Sequence, residues 1–171
     1  MIKKLKIIFV GLFLVFAGFA NAQTTDVVGV AMGSKDHTTL VAAIKAADLV
    51  TTLKGKGPFT VFAPSNNAFN KLPKGTLNKL LKPKSKADLV KLLTYHVIAG
   101  DLKASDVLAA IKAGKGKAVI KTIQGENLTA SLLYGKVILT DAKGGIATVT
   151  TTDLVASNGV IHVIDSVVMP K

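Results

Sequence analysis

From Gly57 to Phe69 the chain reads Gly-Pro, then Phe59, Thr60, Val61, Phe62 and Ala63, then Pro64 and Ser65 ahead of Ala68 and Phe69. The aromatic and β-branched run lacks polar alternation, which predicts a strand covered on both faces and central to its sheet. Pro64 cannot donate to a ladder and closes the strand, and Ser65 is placed to cap a short helix returning Ala68 and Phe69 to the sheet. Upstream the apolar period is helical. Thr25 or Asp26 opens a short helix with Val27, Val30 and Ala31 inward. Asp36 or Thr38 opens another with Leu40, Ala43, Ile44 and Ala47 inward, which Leu49, Val50 and Leu53 continue to Gly55. Downstream, Thr76 to Leu81 predicts a turn of helix stopped by Pro83. Ser85 and Asp88 form a capping pair for a helix whose inward stripe is Leu89, Leu92, Leu93 and then His96. Ser105 and Asp106 start one more, with Val107, Leu108 and Ile111 inward and Gly114 as its stop.

Beyond Ala118 the period shortens to that of strands. The runs Ala118 to Ile123, Leu128 to Leu133, Val137 to Thr140, Ile146 to Thr150 and Gly159 to Val168 are separated by glycines, with a longer polar connection ahead of Asn158. Such short links predict mainly antiparallel hairpins. Val160 to Ile164 is apolar on both faces, so the last strand needs neighbours on both sides. The resulting architecture is α+β, with several helices packed against a compact β-sandwich or wedge.

The N-terminus changes the picture of where the protein works. Lys3, Lys4 and Lys6 precede an apolar run from Ile7 to Ala20, followed by Asn21-Ala22 and then polar residues. This is the pattern of a secretory signal peptide over residues 1–22, cleaved to leave a single domain over 23–171. The apolar run is too short for a transmembrane anchor. No cysteine is present in the 171 residues, so an exported chain would be held by packing without disulfides. Its location would be periplasmic or extracellular.

Charge is one-sided. All 22 basic residues are lysine against 10 acidic ones, a net charge of +12 that falls to +9 without Lys3, Lys4 and Lys6. This favours anionic partners. Nucleic acid is a poor fit, because guanidinium forks are absent and aromatic platforms are scarce. Lys79, Lys82, Lys84 and Lys86 belong to one crowded region, and Lys112, Lys115, Lys117 and Lys121 gather around a glycine-rich turn.

Catalytic material is thin: three histidines, no cysteine and, in Glu126, a single glutamate. His162, Asp165 and Ser166 invite a triad, but alternation along a strand sends His162 and Asp165 to opposite faces. No metal-binding spacing, calcium loop or phosphate-cradling glycine loop occurs, and Asp141 to Gly145 reads as turn chemistry. No catalytic residue, cofactor or metal ligand is therefore assigned. His96 completes an apolar stripe and His162 lies within an apolar strand, which predicts buried, hydrogen-bonded rings.

Three stretches together resemble the fasciclin domain family: Gly57 to Phe69, the segment Leu93-Thr94-Tyr95-His96-Val97-Ile98, and Asn158 through Pro170. They occur in the family's order and at roughly its spacing, with Ser65, Asn67 and Ala99 as mild departures. The resemblance implies a non-enzymatic module acting in cell adhesion or cell-surface and matrix binding. Its partner would be a cell-surface or matrix protein or an anionic glycan. It also implies partner recognition near Tyr95 and His96, to which charge adds Lys79, Lys82, Lys84 and Lys86. A carrier of an apolar small molecule, held between helices and sheet, is the alternative the resemblance leaves open.

Overall fold

The computed structural model describes residues 25–171; the proposed signal peptide lies outside the described residues. The helices are α1 (Val27–Met32), α2 (Thr38–Ala46), α3 (Val50–Leu53), α4 (Asn66–Asn70), α5 (Thr76–Leu80), α6 (Lys86–Tyr95) and α7 (Ala104–Ala113). The strands are β1 (Phe59–Pro64), β2 (Val97–Ala99), β3 (Lys117–Lys121), β4 (Asn127–Leu133), β5 (Lys136–Thr140), β6 (Ile146–Ala156) and β7 (Gly159–Ile164).

One sheet runs in the order β2-β1-β7-β6-β5-β4-β3. β1 is internal, next to the β2 edge, antiparallel to β2 and parallel to β7, and β7 has β6 on its other side. Alternation along these two strands feeds two separate cores. Val61, Ala63 and Ile161 face α1, α2 and α6 with Val28, Leu40, Ile44, Leu89 and Leu93. Phe62 and Ile164 face the other way, toward Tyr95, Val107, Ile111, Leu128, Leu139 and Val168. This is why the Phe59 to Ala63 and Val160 to Ile164 runs carry no polar face.

β6 turns the corner between the two halves. Its first residues pair with β5 and its last with β7, with register shifts between Val149 and Thr151 and between Thr151 and Leu154. Bulges of this kind bend a strand and increase its twist. The β3–β5 layer thereby folds over the Phe62 face, producing the wedge. The same distortion corrects one expectation. The strand expected over Ile146 to Thr150 continues, bulged, through Thr151 to Ala156, and the link to β7 is only Ser157 and Asn158. Exposed, irregular residues hide the alternation that marks a strand.

Three other boundaries differ from expectation. Helix α2 ends at Ala46, closed by Asp48 at φ 56°, and α3 begins as a new helix. The Leu49 amide donates to the Ile44 carbonyl and the Asp48 amide to Lys45, a Schellman closure with aspartate where glycine is usual. At the end of α7 the left-handed residue is Lys115, φ 55°, rather than Gly114. Ser85 precedes α6 without donating or accepting a side-chain capping bond, because it already lies in a helical turn. By contrast Ser65 does cap α4, its Oγ accepting from the Ala68 amide at 3.3 Å.

Candidate functional site

Tyr95 is the last residue of α6 and His96 its C-cap; Leu89 and Leu93 turn to the first core, while Tyr95 enters the second, with Phe62 and Ile164. Tyr95 is 0% exposed and His96 2%. The Tyr95 hydroxyl donates to the Asn127 carbonyl at 2.8 Å and accepts from the Ala142 amide at 3.1 Å, joining α6 to two hairpin turns. His96 Nδ1 donates to the Leu92 carbonyl at 2.8 Å, which leaves Nε2 to accept from the Val168 amide at 3.2 Å. Only the neutral ring satisfies both bonds. Burial accordingly lowers the His96 pKa to about 4, against smaller upward contributions from the Leu92 carbonyl and Asp141. Burial also raises the Tyr95 pKa. Neither ring presents an atom to a partner approaching from solvent in this conformation.

His162 is built in the same way. Its Nε2 donates to the Leu102 carbonyl at 2.7 Å, and Nδ1 accepts from the Asp153 amide at 3.3 Å. Asp165 has other partners: the Thr148 amide at 2.7 Å, Lys71 at 3.2 Å and the Ser166 hydroxyl at 3.1 Å. Burial pushes the Asp165 carboxyl up, but the Thr148 amide, Lys71 and Ser166 together outweigh it and the net shift is downward. Neither Ser166 nor Asp165 is hydrogen-bonded to His162, whose two ring nitrogens are both taken by backbone groups. His37 Nδ1 meets Ser34 Oγ at 2.8 Å, and burial lowers its pKa. Among the described residues no group of three or more His, Asp or Glu is placed to hold a metal ion.

The polar residues that organise loops were invisible as such in the sequence. The Asn158 carboxamide accepts from the Val27 amide and donates to the Leu53 and Gly55 carbonyls, tying three segments together. Asp141 is buried and accepts from the amides of Lys143, Gly145 and Met169. Its role includes the expected turn and adds an anchor for the C-terminal segment.

The lysines are on the surface. Lys79, Lys82, Lys84 and Lys86 are all exposed along α5, the following loop and the start of α6. Lys86 pairs with Asp48, while Lys79, Lys82 and Lys84 make no ion pair among the described residues. Lys79, Lys91, Lys143 and Lys171 line a groove of about 340 Å³, with Asp88 as its carboxylate. A larger open cleft of about 610 Å³ is rimmed by Lys54, Lys56, Lys103 and Asp101, a grouping that no single stretch of sequence announces. Two apolar pockets, one beside Phe62, Thr152 and His162 and one among Val28, Leu40, Ile44 and Ile161, offer only about 10 Å³ each, about one water's worth of space.

One exposed feature escaped the sequence reading. At the tip of the β4–β5 hairpin Leu132, Leu133 and Tyr134 are 42%, 47% and 96% exposed. The available signal was Leu-Leu-Tyr directly before Gly135, a large apolar group where hairpin turns favour Asn or Gly.

The fasciclin domain model matches residues 35–170, and the chain belongs to that family. It is 49% identical over 151 residues to Protein sll1483 of Synechocystis, covering 88% of this chain and 77% of that protein. It is 36% identical over 156 residues to immunogenic protein MPB70 of Mycobacterium bovis, covering 88% and 72%. Transforming growth factor-beta-induced protein ig-h3 of Sus scrofa is 38% identical over 145 residues, which are 84% of this chain but 19% of that protein. The fold matches a fasciclin domain pair from the insect cell adhesion molecule Fasciclin I with a TM-score of 0.75 at 18% identity, over 85% of this chain and 51% of that one.

Proposed function

We propose that this protein is exported, loses residues 1–22, and acts without catalysis as an adhesion module whose lysine-rich surface holds an anionic cell-surface or matrix glycan. The observation that carries the reading is the exposed group Lys79, Lys82 and Lys84, without an ion pair among the described residues, beside the lysine-lined groove. Membership of the fasciclin family and the fold shared with an insect cell adhesion molecule support the adhesive part. Burial of Tyr95 and His96 supports assigning recognition to the lysines and a packing role to the two rings. Among the described residues no helix is long and apolar enough to cross a membrane. The carrier alternative gains no support from these two apolar pockets, each of about 10 Å³.

Lysines attract anions as dispersed point charges, so binding should be weak per site and steeply salt-dependent. The test is retention of the processed protein on a sulfated or uronate-bearing glycan matrix across a salt gradient. Lys79, Lys82 and Lys84 changed together to Glu should abolish retention. An unchanged elution profile would show that this surface only solubilises the protein. Intact mass of the exported protein should begin at Gln23.

A further inference from the structure

The β4–β5 hairpin turns through Tyr134 at φ 49° and Gly135 at φ 77°, both left-handed, as a two-residue connection between Leu133 and Lys136 demands. Gly135 suits that geometry. Tyr134 does not, because a Cβ in the left-handed region crowds the following carbonyl. Its ring is 96% exposed, so no packing offsets the strain. A large aromatic in an unfavourable backbone conformation, with nothing to gain from the folded core, points to a use outside the fold.

The surroundings specify that use. Leu132 and Leu133 extend the apolar tip. The register pairs Leu133 with Lys136 and Ser131 with Lys117, so the α7–β3 turn bearing Lys115 and Lys117 leaves the sheet at the same end. Lys112 lies in the last turn of α7. Lys112, Lys115, Lys117 and Lys136 therefore gather toward this end, whereas Lys121 and Glu126 lie at the opposite end of β3 and β4, where Glu126 pairs with Lys91. On the adjoining strand β6, Asp153 is engaged by the Ala104 amide. An exposed Leu-Leu-Tyr apex ringed by lysines has the chemistry of an interfacial anchor: aliphatic groups to enter acyl chains, a tyrosine for the headgroup level, and cations for anionic headgroups.

We infer that the β4–β5 hairpin tip docks onto an anionic lipid bilayer, with Leu132, Leu133 and Tyr134 inserting while Lys112, Lys115, Lys117 and Lys136 contact phosphate-bearing headgroups. This surface is separate from the Lys79 to Lys84 group. An apolar tip alone would suit a second copy of the chain, but the lysine ring would repel an identical ring and matches an anionic surface. One such loop gives reversible attachment, because stable anchoring needs more than one small insertion.

The experiment is flotation of the processed protein with vesicles of phosphatidylglycerol mixed into phosphatidylcholine, against phosphatidylcholine alone. Wild type should float with the anionic vesicles only. Tyr134→Asn, which suits the left-handed turn and keeps the fold, should weaken vesicle association about tenfold or more while leaving glycan retention unchanged. Tyr134→Trp should keep association, and its emission should shift to the blue on vesicle addition. The chain has no other tryptophan. Flotation of Tyr134→Asn at the wild-type level, or flotation of Tyr134→Trp without a spectral shift, overturns the insertion. So does a change of oligomeric state in Tyr134→Asn with no change in flotation.

Discussion

The chain's two tyrosines occupy opposite physical situations, and sequence motif draws attention to the one that solvent cannot reach. Tyr95 sits beside a histidine in a segment the family resemblance marks for recognition, yet its ring is sealed and its hydroxyl is shared between two backbone groups. Tyr134 sits in a glycine-punctuated turn, almost wholly exposed and in a left-handed conformation. One residue stabilises the fold and the other strains it. Recurring family residues need not be contact residues when their hydrogen bonds close the core, whereas a costly exposed residue asks for an external partner.

The largest expected effect tests the buried member. Tyr95→Ala should lower unfolding free energy by about 4 kcal/mol, measured by urea denaturation, because it opens a cavity and strands the Asn127 carbonyl and Ala142 amide. A loss below about 1 kcal/mol would break the contrast, since Tyr95 would then have no more structural weight than a surface residue. His96 sharpens it through pH. Its pKa falls from 6.5 to about 4 on folding, so between those values the unfolded chain binds a proton that the native ring refuses. Stability is therefore full above about pH 6.5 and declines as pH drops toward 4, by about 2 kcal/mol between pH 7 and 5. The downward shift at His37 acts in the same direction. His96→Gln should flatten most of that slope, and an identical slope in the variant would remove His96 as its source.

Smaller effects separate hydrogen bonding from packing and then reach the surface. Tyr95→Phe keeps the ring but removes the hydroxyl, for an expected loss of about 1–2 kcal/mol. Tyr134→Asn should move the other way, raising thermal stability by about 0.5–1 kcal/mol as a residue tolerant of the left-handed region replaces one that is not. Destabilisation there would mean that the Tyr134 ring supports the hairpin. Changing Lys79, Lys82 and Lys84 to Glu should shift stability by no more than about 0.5 kcal/mol, checked by the same denaturation, because these exposed groups have no ion-pair partner among the described residues.

Much of this molecule was determined by local pattern. The doubly apolar run at Phe59 to Ala63 reads as a central strand because only a strand between two cores can bury both faces, and Ser65 reads as a cap because its hydroxyl reaches the Ala68 amide within one turn. The α2 and α6 stripes follow from a period that needs no distant information. Tertiary structure decided the rest. The three-residue strand β2 is too short to show a period and exists because β1 offers it a ladder. The bulged half of β6 is ordered by β7, whose pairing extends the strand through polar Thr151 to Asp153. Asn158 and Asp141 acquired their roles from loops remote in sequence. The fates of the two tyrosines were also tertiary: Tyr95 is enclosed by turns 32 and 47 residues further along the chain, while Tyr134 lies at an apex that no other described segment covers. Burial depends on what arrives from elsewhere in the chain, and a local pattern records only what a residue would prefer.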